Sequence, residues 1–131
     1  MSIEREELSV DILFVGAGPA CLTSALHLKR QLAAMGNQEV EVAIIEKGLS
    51  VGAHILSGAV VDPRPLEELL GEDWRDKGVP IEGWVESEEV RHLSATRATR
   101  IPVPPMMKNR GFPIISLSDM VCWLKDRCEE A

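Results

Sequence analysis

Apolar and polar residues follow one another along positions 10–47 in the order strand, helix, strand. Val10 to Val15 is almost entirely apolar and rich in β-forming residues, which is typical of a strand buried on both faces of a parallel sheet. From Cys21 to Ala33 apolar residues recur at helical spacing, with basic residues on the opposite side. Val40 to Ile45 is a second apolar run and ends at Glu46. This order predicts a βαβ unit with a right-handed crossover.

Beyond the βαβ unit the pattern predicts shorter elements and a hairpin. A stretch of glycines and small residues predicts an extended loop, and the "PLEELL" stretch that follows predicts a short helix. Trp84 to Leu93 predicts a strand, and "TRIPVPPMM" is expected to pair with it in an inserted β-hairpin over about residues 84–110. Three prolines confine the second strand to a sheet edge, because proline cannot donate to a ladder.

The C-terminal part of the sequence predicts a last strand and a last helix. Ile114 to Leu117 is a short apolar run, and Ser118 is expected to cap a helix from Asp119 to about Glu130. The apolar stripe of that helix is expected to contain Met120, Trp123, Leu124 and Cys128. Together these elements predict an α/β fold, with residues 1–131 in one domain.

Composition and charge narrow the classes of function. The net charge of -7 argues against a nucleic-acid partner, because phosphate binding needs clustered Lys and Arg. No apolar run approaches the ~18–20 residues of a membrane-spanning helix, and the acidic residues 1–7 are unlike a signal peptide. The cysteines Cys21, Cys122 and Cys128 have neither disulfide-framework nor metal-ligand spacing. We therefore expect no metal site and find no catalytic side-chain pair.

The turn after the first strand carries most of the nucleotide-binding chemistry. In the dinucleotide fingerprint, the first glycine permits a tight turn, the second lets the backbone approach a pyrophosphate, and the third lets helix and strand pack closely. Gly16 and Gly18 keep the first two tasks, while Cys21 stands in the third position. Glu46, at the tip of the second strand, is placed to accept hydrogen bonds from ribose hydroxyls and disfavours a 2′-phosphate. The alternative is that these are ordinary turn glycines and a solvated strand end.

Longer stretches carry a family resemblance. "VGAGPACLTSALHLKR", "IIEKGLSVGAHILSGAVVDPRPLEELL", "DWRDKGVP" and "RIPVPPMM" together resemble the N-terminal part of electron transfer flavoprotein-ubiquinone oxidoreductase. The resemblance implies a Rossmann-like βαβ opening of a glutathione-reductase-type FAD domain. It also implies FAD and a [4Fe-4S] cluster as cofactors. Reduced electron transfer flavoprotein is the implied electron donor and ubiquinone the implied acceptor. The implied location is the mitochondrial inner membrane or the cytoplasmic side of a bacterial inner membrane.

Cofactor contacts follow from the same resemblance, position by position. It assigns the FAD pyrophosphate to Gly16, Gly18, Pro19 and Ala20, and the adenosine ribose region to Glu46 and Lys47. It assigns the ribityl chain and the surroundings of the flavin ring to His54, Ser57 and Gly58. Ser116 stands where some members carry an arginine.

Family members are several times longer than this chain, so we expect an incomplete FAD domain. The cluster ligands and the quinone pocket of the family lie beyond Ala131. The segment around residues 97–110 combines apolar residues, prolines and flanking Lys and Arg. These residues alone suit a proline-stiffened hairpin over the protein's own core as well as they suit membrane contact. The resemblance implies the second, as monotopic contact with a membrane surface. Two alternatives stay open: another FAD oxidoreductase of this fold (FixC-like or geranylgeranyl-reductase-like), and a truncated, non-catalytic nucleotide-binding remnant.

Overall fold

A computed structural model describes residues 7–131, so the first six residues of the acidic N-terminal stretch lie outside the described range. The described range contains seven strands, three α-helices and two short 3-10 helices. The elements are β1 (Ile12–Val15), α1 (Pro19–Ala34), β2 (Val42–Ile45), β3 (Gly58–Val60), α2 (Pro63–Leu70), β4 (Gly83–Trp84), β5 (Val90–Leu93), β6 (Ala98–Ile101), β7 (Pro113–Ser116) and α3 (Leu117–Glu129). Short 3-10 helices lie at Trp74–Lys77 and Pro105–Met107. The chain divides into two compact units, one reaching to Ile55 and including residues 121–131, the other covering Leu56–Met120.

The first unit contains the expected βαβ arrangement. β1 and β2 are parallel, with Ile12 opposite Val42 and Val15 opposite Ile45, and α1 connects them. Strands of this kind need a crossover connection, which a helix supplies. The mixed α/β class and the parallel β1–β2 pair expected from the sequence are confirmed.

Packing in the first unit centres on α1. Its residues Leu22, Ala25 and Leu26 are buried, at spacings that place them on one helical face. The expectation that both faces of β1 are buried is wrong, because its side chains alternate and Val15 is 73% exposed. In the described residues this two-stranded sheet therefore has an open apolar face.

The second unit contains an antiparallel three-stranded sheet in the order β3-β7-β4, and a separate hairpin of β5 and β6. α2 begins where the Asp62 carboxylate accepts a hydrogen bond from the Arg64 amide, a standard N-cap contact. The core of this unit includes Leu66, Leu69 and the fully buried Trp74. Arg75 lies over the Trp74 ring, with its guanidinium carbon 4.6 Å from the ring centroid.

Three local predictions are corrected by the structure. A single strand from Trp84 to Leu93 is wrong, because Gly83–Trp84 pairs with β7 and only Val90–Leu93 pairs with β6. The uninterrupted loop after β2 is wrong as well, because it contains β3. Helix α3 begins at Leu117, so Ser118 lies inside it, and the Ser116 hydroxyl instead accepts a hydrogen bond from the Asp119 amide at 3.3 Å.

Candidate functional site

The turn between β1 and α1 contains two glycines with different backbone conformations. Gly16 has a φ of +98°, a conformation that side chains disfavour. Gly18 has an ordinary extended backbone, with φ -80° and ψ 171°, and an added Cβ would meet no atom within 4 Å. Backbone conformation therefore explains the glycine at position 16, whereas local crowding and strain do not explain the one at position 18.

The start of α1 presents a positively polarised helix end. Pro19 occupies the first helical turn, where its missing N–H costs nothing. No side chain of the described residues caps this end, and its first turn contains no acidic residue. Backbone N–H groups without helical partners, together with the helix dipole, attract anions. Ala20 and Pro19 are both exposed at this end.

Glu46 connects this turn to the loop after β2. One carboxylate oxygen accepts a hydrogen bond from the Ala17 amide at 2.8 Å, and the other accepts one from the Gly48 amide at 2.7 Å. The hydrogen bonds from the Gly48 and Ala17 amides lower the pKa of Glu46, with smaller contributions in the same direction from the Lys47 amide and the nearby His54. The Glu46 carboxylate thereby stays ionised beside the Gly-rich turn.

Gly48 is a site residue that the sequence analysis missed. A Cβ at position 48 would lie 3.1 Å from a Glu46 carboxylate oxygen and 3.3 Å from the His54 ring. Contacts this short force a neighbour to move. The sequence signal was a glycine two residues after a strand-tip carboxylate, a spacing that suits a side-chain-to-backbone turn.

The structure brings only some of the predicted cofactor residues together. His54 lies beside Glu46 and Gly48 within the first unit. Lys47 is exposed next to Glu46. Ser57 and Gly58 belong to the second unit. Gly58 has a structural reason to be glycine, since a Cβ there would lie 2.9 Å from the Ile115 carbonyl oxygen on the neighbouring strand.

Two hollows flank Glu46 in the first unit. One has a volume of about 370 Å³ and is lined by Ala17 and by apolar residues of α1 and β2; the other has a volume of about 410 Å³ and is lined by the loop after β2. Lys125 and Val51 line both hollows. Their volumes lie in the range of small-molecule sites, ~300–1,000 Å³. Lys125 and Val51 were not predicted, because nothing in the local sequence indicates that α3 reaches the loop after β2.

The cysteine in the third fingerprint position faces the strand. The Cys21 thiol lies 3.8 Å from the Val15 carbonyl oxygen and is half-buried. A side chain small enough for this gap therefore performs the packing task of the usual glycine. Among the described residues no cluster of three or more His, Cys, Asp or Glu side chains is arranged to hold a metal ion, and no helix is long and apolar enough to cross a membrane.

Several known proteins similar to this chain are named electron transfer flavoprotein-ubiquinone oxidoreductase. The chain is 46% identical over 131 residues to electron transfer flavoprotein-ubiquinone oxidoreductase from Pseudomonas aeruginosa, covering 97% of the chain and 23% of that protein. Mitochondrial proteins of the same name from Dictyostelium discoideum and Bos taurus are 42% and 41% identical, and the matches cover 95% and 98% of the chain.

The chain spans about a fifth of the length of these relatives, since the matches cover 20% and 21% of the two mitochondrial proteins. No protein-family model matches the chain. These relatives are named as oxidoreductases, and the matched region is their N-terminal part. The resemblance drawn from the sequence is therefore confirmed: over nearly its whole length, the chain matches the N-terminal part of the electron transfer flavoprotein-ubiquinone oxidoreductases.

Proposed function

We propose that this chain binds the adenosine diphosphate half of FAD, with the pyrophosphate on the turn of Gly16, Gly18, Pro19 and Ala20 and the ribose on Glu46. The observation that carries the proposal is the Glu46 carboxylate, which accepts hydrogen bonds from both the Ala17 and the Gly48 amide. These bonds hold an ionised acceptor beside a helix start that has spare N–H donors. A ribose hydroxyl donates well to such a carboxylate, whereas a 2′-phosphate is repelled by it.

The residues present fit the cofactor at this end. Space beside Gly18 is open within 4 Å, as a backbone that must approach phosphates requires. When bound, FAD supplies the electron-accepting ring, and the polypeptide supplies binding, orientation and electrostatics. The βαβ unit then serves as the opening of a glutathione-reductase-type FAD domain. The described residues do not fit a [4Fe-4S] cluster, because they contain no suitable ligand group.

The proposed reaction is electron transfer from reduced electron transfer flavoprotein to ubiquinone, as named for the relatives. In that reaction this chain contributes the nucleotide-binding part of the flavin site. His54 supports the site from the Glu46 side, where its ring lies close to Gly48. Ser57 and Gly58 remain proposed contacts further along the cofactor.

The test of nucleotide binding is the flavin absorbance spectrum of the complete purified protein, followed by titration with FAD and with NADP. We expect bound FAD, weak or absent NADP binding, and weaker FAD retention in Glu46→Ala. If Glu46→Ala retains FAD as well as the parent does, Glu46 does not bind the ribose. A protein that neither contains nor takes up flavin would favour the non-catalytic remnant over both FAD oxidoreductase hypotheses.

We further propose monotopic contact of residues 97–110 with a membrane surface, on the cytoplasmic side of a bacterial inner membrane or at the mitochondrial inner membrane. Three apolar side chains there are exposed: Met106 at 84%, Met107 at 48% and Ile101 at 40%. Prolines remove backbone donors that would otherwise need partners outside water, and methionine adapts to a fluid, irregular surface.

Liposome co-sedimentation tests the membrane contact. Replacing Ile101, Met106 and Met107 together by Ser removes the exposed apolar surface without touching the buried core, so we expect binding to fall while circular dichroism stays unchanged. Undiminished binding by a folded triple variant would contradict the proposal.

A further inference from the structure

A third hollow, of about 450 Å³, lies in the unit Leu56–Met120, and none of the proposed cofactor-binding residues lines it. Its lining includes three cationic side chains, Arg100 on β6 and Lys108 and Arg110 in the segment before β7. The carboxylates of Glu86 and Glu88 also line it. Three cations against two carboxylates leave a formal charge of +1 in a chain whose net charge is -7.

The three cations have no ion-pair partner among the described residues. The ion pairs of the described residues involve Arg64, Lys77, Arg91, Lys125 and Arg127. Glu88, which lines the same hollow, accepts a hydrogen bond from the Asn109 backbone amide. That bond anchors the segment between Lys108 and Arg110, and it occupies one carboxylate oxygen that would otherwise be open to a cation.

The hairpin places one arginine directly opposite another. Arg91 on β5 pairs across the ladder with Arg100 on β6. Like charges in that position repel one another. Glu89 forms an ion pair with Arg91 and also interacts electrostatically with Arg100, without an ion-pair contact to it. The Arg100 guanidinium therefore keeps N–H donors for an external anion.

We propose that this hollow binds the phosphate of an anionic phospholipid headgroup between Arg100, Lys108 and Arg110. Arginine presents N–H donors in a planar fork that matches phosphate oxygens, and lysine adds a compact charge. A phosphodiester carries one negative charge, which the hollow's formal +1 balances. The two carboxylates repel a second negative charge, so the hollow disfavours free inorganic phosphate, which carries more than one charge near neutral pH.

A lipid is the favoured source of this phosphate because exposed apolar side chains lie on the same strands and loop. Leu93 on β5 is 71% exposed, and Ile101 follows Arg100 directly on β6. Met106 and Met107 directly precede Lys108. Charged headgroup contacts and apolar insertion reinforce one another in interfacial binding. The inference rests on the proposed membrane contact and adds a lipid preference to it.

The experiment compares binding of the complete protein to vesicles of neutral phosphatidylcholine alone and to vesicles that also contain phosphatidylglycerol. We expect tighter binding to the anionic vesicles, and a variant with Arg100→Gln, Lys108→Gln and Arg110→Gln should lose that difference, roughly tenfold or more in affinity. The matched control, Lys29→Gln, Arg30→Gln and Arg64→Gln, removes the same charge elsewhere and should keep the difference.

Each of the other outcomes overturns one part of the proposal. Equal binding of the parent to both vesicle types overturns the headgroup site and leaves membrane contact standing. An equal loss in the matched control reduces the effect to net charge and also overturns the site. Inorganic phosphate at low concentration is added as a competitor of the anionic vesicles. If it competes in the parent but not in the Arg100, Lys108, Arg110 variant, the ligand of the hollow is a soluble phosphate and not a lipid. Absence of binding to either vesicle overturns both the site and the membrane proposal.

Discussion

Substitutions at Gly16 and Gly18 separate what the backbone needs from what the ligand needs. Gly18 has φ -80° and ψ 171°, and an added Cβ would meet nothing within 4 Å. Gly18→Ala should therefore change the free energy of unfolding of the flavin-free protein by no more than about 1 kcal/mol, because a less flexible unfolded chain offsets the poorer N-cap that alanine gives to α1. Gly16 has φ +98°, so Gly16→Ala should lower that free energy by about 1–3 kcal/mol from backbone strain.

Gly18→Ala should weaken FAD binding strongly although it changes the stability of the protein little. A Cβ at position 18 occupies the space through which phosphate oxygens reach the backbone N–H groups. Losing one charge-assisted hydrogen bond, worth about 1.5–3 kcal/mol, weakens binding roughly tenfold to a hundredfold. The assay pairs urea denaturation of the flavin-free protein with a flavin-fluorescence titration. Parental FAD affinity in Gly18→Ala, or a stability loss equal to that of Gly16→Ala, would refute the assignment of tasks to the two glycines.

The remaining predictions concern the rest of the site and its support. Cys21→Gly should be tolerated for FAD retention, checked by the flavin content of the purified variant, because position 21 has only a packing task against β1. Gly48→Ala should weaken FAD binding in the same titration, since the Cβ displaces the Glu46 carboxylate or the His54 ring. Gly58→Ala should destabilise the second unit by about 1–3 kcal/mol in thermal unfolding, because the Cβ would lie 2.9 Å from a backbone oxygen. FAD retention should stay level from about pH 8 to pH 5 and fall only in stronger acid. The lowered pKa keeps Glu46 ionised over this range, and its contribution to binding is lost as pH falls through that pKa. A decline centred near neutral pH would contradict this prediction.

The part of the site that the sequence predicted depends on local patterns. Parallel neighbours end at the same edge of a sheet, so Gly16 after β1 and Glu46 after β2 had to lie close together once the βαβ order was recognised. The role of Cys21 followed in the same way, since its place in the first helical turn points it toward the strand.

The part that the sequence did not predict depends on how distant segments pack. His54 reaches Glu46 only through the conformation of the loop after β2, which has no periodic pattern to read. The strand predicted from Trp84 to Leu93 is divided because Trp84 pairs opposite Pro113 and lies 6.3 Å from the Trp74 ring, a contact that apolar alternation does not reveal.

Hydrogen exchange measured with and without FAD tests the central claim most directly, because it reports on the backbone N–H groups that are proposed to hold the cofactor. The account predicts that FAD protects two segments of the first unit, residues 16–22 at the turn and helix start and residues 46–48 around Glu46, and that Gly18→Ala abolishes the protection at the turn. Binding of FAD that leaves both segments unprotected would contradict it.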